Sequence, residues 1–143
     1  MTTDVLAIGA HPDDLELSCG GTIAKLVKQG YKVALADATR GEMGTRGTKE
    51  IRSKEAEEAA HILGAVTRRN LHIPDGNVGV NKENIQKVIT LIRELRPTVL
   101  IIPHGVERHP DHAHTHQLCK EAWFYAGLRK LTTSSRGKKQ EPH

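Results

Sequence analysis

Three nearly continuous apolar runs, each followed by a segment with helical character, limit what this chain can fold into. Residues 4–9 (DVLAIG), 32–37 (KVALAD) and 98–102 (TVLII) do not alternate between apolar and polar positions. Strands of that kind are buried on both faces, which calls for a parallel sheet covered by helices on each side. The intervening stretches supply those helices. One runs through residues 22–29 and stops at Gly30, and a second covers residues 49–63 and stops at Gly64; glycine readily takes the left-handed conformation that closes a helix. A third is capped by Asn81 and carries Ile85, Val88, Ile89 and Ile92 on one face, and Pro97 prevents it from continuing. A last helix is expected from about His112 to Ala126, with Gly127 beyond, and residues 71–73 read as a brief strand before the Pro74-Asp75-Gly76 turn. The alternation of elements predicts an α/β fold with a mainly parallel sheet.

At 143 residues the chain suits one domain with a modest core. The net charge of +4 comes from Lys and Arg scattered among acids, without a basic stripe or interleaved aromatics. That argues against nucleic acid as a partner. Residues 1–4 hold no basic region, the apolar run at 5–8 is too short for an export signal, and no stretch approaches a membrane span. Cys19 and Cys119 form no CxxC pair. Reduced thiols in the cytoplasm are the plain reading, with a disulfide between them as the open alternative.

Right-handed crossovers place the C-terminal ends of parallel strands on one sheet edge, outside which ligands bind. The two richest polar segments, residues 10–16 (AHPDDLE) and 104–112 (HGVERHPDH), each follow an apolar run directly, so both are expected at that edge. His11 and Asp14 can converge around the Pro12 turn, and His112 can add a third ligand. Two imidazoles and a carboxylate, with a position left for water, form the pattern of catalytic zinc; iron(II) suits the same set. Asp13, beside Asp14, is free to act as a base. His109 as an imidazolium can stabilise an oxyanion, oriented by Asp111. In the competing reading, HPDD is a plain turn with Asp13 or Asp14 capping the next helix, and HPDH is a helix start with surface histidines. His114 and His116 are rival ligands, His116 the stronger because it lies one turn beyond His112. His104 is a candidate for the surroundings of the site, His61 reads as an ordinary helix-surface residue and His72 as an ordinary strand-end residue. A nucleotide-binding domain lacks its phosphate cradle here, since only Gly20-Gly21 is present in place of a GxGxxG run.

With these residues in view, the chain resembles the LmbE-like, or PIG-L, family of zinc deacetylases. The likeness rests on AHPDDLE at 10–16, TRGEMGTRG at 39–47, Arg52 with Glu55, and RHPDH at 108–112. LSCGGTIAKL at 17–26 and FYAGLRKL at 124–131 are similar to the bacillithiol-biosynthesis branch, the N-acetylglucosaminyl-malate deacetylases. The resemblance implies a Rossmann-like three-layer α/β/α fold, with Zn2+ (or Fe2+) on His11, Asp14 and His112. It implies Asp13 as general base and His109, backed by Asp111, as electrostatic catalyst. Glu42 and Arg52 are implied as sugar contacts, against a structural alternative of a loop cap and a salt-bridged helix start, while Arg108 can meet a carboxylate such as that of malate. The implied partner is a small N-acetylated sugar conjugate, and the implied form is a cytoplasmic homo-oligomer. Family members run longer, so residues 1–131 are expected to be the N-terminal part of the family fold and 132–143 a loose polar tail. A truncated, catalytically silent metal-bearing subunit that binds sugar or serves assembly is the rival reading.

Overall fold

In the computed structural model, which describes residues 1–143, four parallel strands form the central sheet. They are β1 (Val5–Gly9), β2 (Val33–Asp37), β3 (Thr67–Asn70) and β4 (Val99–Ile101), in the order β3-β2-β1-β4. Helices α1 (Asp14–Lys28), α2 (Lys49–Leu63) and α3 (Lys82–Leu95) connect them, and α4 (Pro110–Ala126) follows β4. Every residue of β1 and β2 is buried, as their unbroken apolar sequences require. Leu6, Ile8, Ala34 and Ala36 pack against Val88, Ile89 and Ile92 of α3 and Leu118 and Ala122 of α4. Val5, Ala7, Val33 and Leu35 face Leu15 and Ile23 of α1 and Ala60 of α2. Each fully buried leucine or isoleucine contributes about 1.5–3 kcal/mol, so the two cores hold helices on both faces. The expected three-layer α/β architecture is borne out.

Helix ends follow local chemistry. The Thr48 hydroxyl accepts from the Ile51 N–H at 3.2 Å, and the Asn81 side chain accepts from Asn84 N–H at 2.9 Å. Helix α2 closes on Gly64 at φ 75, a conformation that costs glycine nothing in sterics. The chain winds outward from β1 to β2 and β3, then returns across β1 to β4. That reversal lies between β1 and β4 and opens a crevice at their C-terminal ends.

Several expectations are corrected. The strand expected at 71–73 lies at Thr67–Asn70, paired from Ala34↔Thr67 to Asp37↔Asn70. It carries no apolar run because it is an edge strand, half-buried throughout. The run at 98–102 is not doubly buried either: β4 pairs with β1 alone, and Val99 is 50% exposed. Helix α4 starts at Pro110, two residues before the expected start, with His109 as its N-cap. Both cysteines are free, and no helix is long and apolar enough to cross a membrane.

The polar tail is docked rather than loose. Strands β5 (Ser134–Ser135) and β6 (Lys138–Lys139) form a small antiparallel hairpin, and Gln140 Nε2 donates to the Thr90 carbonyl at 3.0 Å. Arg93 of α3 is 4% exposed, with no carboxylate among its hydrogen-bond partners. Its guanidinium donates instead to the carbonyls of Ala126 (3.0 Å), Leu128 (2.9 Å) and Leu131 (2.8 Å) and to the Thr133 hydroxyl (2.9 Å). Carbonyls at a helix C-terminus carry partial negative charge, so this cation closes α4 and anchors the tail together. Arg93→Met is expected to cost about 2–3 kcal/mol in chemical denaturation, in line with lost charged hydrogen bonds, and to open residues 128–140 to limited proteolysis. A change below about 0.5 kcal/mol would remove Arg93 from this role.

Candidate functional site

The crevice between β1 and β4 is where the two motif segments meet. Strand β1 ends at Gly9, and the chain turns at Pro12 into α1, which brings His11 and Asp14 to the rim. The connection after β4 and the first turn of α4 bring His109, Asp111 and His112 to the same place. Asp14 Oδ2 sits at the centre. It accepts the His11 main-chain N–H at 2.8 Å and lies 3.2 Å from His11 Nδ1 and 3.1 Å from His112 Nε2. One ligand atom from each of His11, Asp14 and His112 lies within 4.8 Å of the others.

The other side of the His11 ring explains its orientation. Nε2 is 2.8 Å from Asp111 Oδ2 and 3.0 Å from Asp75 Oδ1. A metal-ligating histidine commonly gives its second nitrogen to a carboxylate, which fixes the tautomer and raises the basicity of the ligating nitrogen. Nδ1 is therefore the nitrogen turned to the candidate ion. His11, His109 and Asp111 form a second triple of suitable spacing, but the Asp111 carboxylate is committed to the His11 ring and to the Gly76 N–H at 3.0 Å.

Charge in this cluster favours a cation. Burial works against a protonated His11, yet its bonds to Asp14 and Asp111 and the charge of Asp75 outweigh burial and raise its pKa to about 9. Burial also opposes ionisation of Asp14 and Asp111, but their contacts with His11 hold both carboxyls below the usual range. Three carboxylates around one imidazole hold a surplus of negative charge that a divalent ion fits better than a single proton does. The donor set of two imidazoles and a carboxylate suits zinc.

Asp13 stands beside the triple without joining it. Its φ of 126 and ψ of −24 lie in a region that costs an L-residue on the order of 1–3 kcal/mol, a feature that concentrates at functional sites. It makes no capping bond to α1, so the plain-turn reading in which Asp13 caps the helix does not describe this structure. Its side chain is 57% exposed and faces a cleft of about 430 Å3 shared with His11, Asp14, His109 and His112. Burial and the neighbouring Asp14 charge push its carboxyl above the usual range, while Arg52 pulls it down.

His109 Nδ1 accepts the Asp111 N–H at 3.1 Å, which leaves the neutral ring with its hydrogen on Nε2, a donor. The His109 ring stacks on His112 with centroids 4.9 Å apart. The expected orienting role of Asp111 is divided: its main-chain N–H meets His109, whereas its carboxylate meets His11. His116, the rival ligand, turns its Nδ1 to the Pro103 carbonyl at 2.7 Å, and His104 Nδ1 accepts the Val106 N–H within its own loop. His114 is not part of either triple, His61 is exposed on α2 as expected, and His72, expected at a strand end, lies exposed two residues beyond β3.

The three expected substrate contacts differ from one another. Both Glu42 oxygens accept main-chain N–H groups, from Arg40 at 2.8 Å and Asp75 at 3.1 Å, and so close the glycine-rich loop. Arg52 borders the cleft but donates to the carbonyls of Gly41 and Pro12. Arg108 is exposed and does not line the cleft. Asp75 is the residue that sequence reasoning missed, having read it only as the middle of a turn. It is nearly buried, and besides His11 it holds the Met43 N–H at 2.8 Å. The available signal was its place just after β3, since every chain segment leaving a parallel strand emerges on the same edge.

A family profile described as GlcNAc-PI de-N-acetylase (PIG-L) matches residues 6–123. The diacetylchitobiose deacetylase of Thermococcus kodakarensis is 34% identical over 149 residues, covering 97% of this chain and 56% of that protein. The probable N-acetyl-alpha-D-glucosaminyl L-malate deacetylase 2 of Bacillus cereus is 33% identical over 127 residues, covering 78% of this chain and 57% of that protein. Among crystal structures, the conserved protein TT1542 from Thermus thermophilus matches with a TM-score of 0.91 at 42% identity, covering 99% of this chain and 62% of that one. The chain thus spans little more than half the length of the curated relatives it matches.

Proposed function

The chain belongs to the GlcNAc-PI de-N-acetylase (PIG-L) family, and on that premise we propose that it hydrolyses the N-acetyl amide of a glucosamine-type sugar conjugate. In this reading His11, Asp14 and His112 hold one divalent ion, zinc, with iron(II) as the alternative. The observation that carries it is the pairing of a cation-seeking triple with an adjacent carboxylate that stays outside it. Bound zinc polarises a carbonyl and lowers the pKa of water to about 7. Asp13 takes the proton from the attacking water, its carboxyl held above the usual range by burial and the neighbouring Asp14 charge. His109, held with its hydrogen on Nε2, donates to the amide oxygen as negative charge grows there, and the proton taken from water passes to the amine nitrogen as the C–N bond breaks. Asp111 and Asp75 hold the His11 ring so that Nδ1 keeps its direction.

N-acetylglucosaminyl-malate is our preferred conjugate, on the likeness at 17–26 and 124–131 and on the name of the Bacillus cereus relative. The Thermococcus relative is named for diacetylchitobiose, so a panel must hold both. Two free thiols support a reducing cytoplasmic setting.

Release of free amine and acetate from either conjugate by the zinc-loaded chain tests the reading. A chain that binds zinc and releases no acetate from either points instead to the silent sugar-binding alternative. We expect one zinc per chain, and His112→Ala to weaken zinc at least about 100-fold in chelator competition, the upper end of what losing a mere outer-sphere partner costs. Unchanged affinity would strike His112 from the ligand set.

A further inference from the structure

We propose that Arg52 is a positioning residue for Asp13, fixing the backbone of the base; the inference rests on the reading of Asp13 as that base. Arg52 lies in the first turns of α2, with only 16% of its side chain exposed. Its Nη2 donates to the Pro12 carbonyl at 2.7 Å and its Nη1 to the Gly41 carbonyl at 2.9 Å. The Pro12 carbonyl belongs to the peptide unit that enters Asp13, whose φ of 126 is strained. Relaxing that φ turns the peptide unit or swings the Asp13 side chain, and with Arg52 gripping the carbonyl the peptide cannot turn freely. Arg52 thereby holds Asp13 where its carboxylate faces the cleft.

The loop at 41–47 is shaped around the guanidinium. Gly41 has φ 65, and a Cβ there would collide with Nη1; a Cβ on Gly44 would lie 2.9 Å from the same atom. Two glycines therefore leave room for one arginine to reach the Pro12 carbonyl. The ion pair with Asp13 is the looser contact, with Nη2 3.4 Å from Oδ2, beyond the 2.7–2.9 Å of a charge-assisted hydrogen bond. One hydrogen of each terminal nitrogen is engaged by a main-chain oxygen, so the guanidinium is held in place by the turn and the loop together.

The test compares the zinc-loaded full chain with Arg52→Met and the conservative Arg52→Lys. Amide hydrogen exchange is read at Asp14 and Leu17, whose N–H groups donate to the carbonyls of His11 and Asp13. Michaelis parameters are taken on the two conjugates. In Arg52→Met we expect exchange at both amides to quicken by at least about 10-fold, with one zinc still bound. We expect kcat to fall about 100-fold, the scale of a small misplacement, while KM stays within about threefold; Arg52→Lys falls between. Unchanged exchange, or KM rising about 10-fold with kcat kept, would overturn the proposal in favour of a sugar contact. Loss of zinc and of cooperative melting in both variants would overturn it in favour of a general support of the fold. An inactive parent chain would defeat the deacetylase reading alone, since exchange still decides what Arg52 holds.

Discussion

Asp13→Asn is expected to keep zinc at one per chain and lose acetate release by about 10²–10⁴-fold in kcat, the range that a positioned proton acceptor supplies. Asparagine matches aspartate in shape and is among the residues that tolerate positive φ, so the strained backbone can persist. No ligand contact is touched, because the triple closes on Asp14 Oδ2 without Asp13. The side chain is more than half exposed, so stability should move by less than about 0.5 kcal/mol. What the variant lacks is a lone pair basic enough to take a proton. Zinc content by metal analysis and acetate release under saturating substrate separate the two properties. A kcat within about threefold of the parent would remove Asp13 from the reaction.

Arg68→Met carries the largest expected effect on stability. Arg68 of β3 forms a fork on Asp37 at the end of β2, with Nε and Nη2 2.7 and 2.8 Å from the two carboxylate oxygens. Nη1 reaches Glu16 of α1 at 3.1 Å. The Arg68 and Asp37 side chains are 5% and 3% exposed. Burial pushes the Asp37 carboxyl up even with the fork in place, so its charge depends on Arg68. Burial works against the charge on Arg68 too, but Asp37 and Glu16 more than compensate and raise its pKa. Removing one partner of such a buried pair costs about 3–5 kcal/mol, a large part of the 5–15 kcal/mol typical of a whole domain. Melting is expected to fall by roughly 9–20 °C, at about 3–4 °C per kcal/mol for this size. Adding Asp37→Asn to Arg68→Met should restore part of the loss, because the uncompensated charge is gone. A fall below about 1 kcal/mol would show that Asp37 finds water or another partner.

This pair also marks where the sequence stops being legible. Strands β1 and β2 are readable because apolar runs with both faces buried have one explanation. The meeting of His11 and Asp14 with His112 was readable because parallel strands share an exit edge. Strand β3 was not: its residues Thr67-Arg68-Arg69-Asn70 carry polar side chains whose partners lie on other elements. Asp75 and Arg93 escaped for the same reason. Each is buried by a partner far along the chain, His11 in one case and the carbonyls beyond α4 in the other, and no local periodicity encodes such a pairing. Arg52 lay in between, visible as a residue near the site but with its carbonyl partners hidden until the loop was folded.

The separation of the ligands along the chain bears on how the domain is made. His11 and Asp14 leave the ribosome about 100 residues ahead of His112, which emerges only after β4 and the α4 cap. A growing polypeptide therefore cannot close the triple until the central strands have been aligned beside one another. In the proposed metal-bound form, ion capture would staple a loop of about 100 residues, and closing so long a loop restricts the unfolded ensemble far more than a clip between neighbours does. Uptake of the proposed ion would then report a completed assembly, not a local turn.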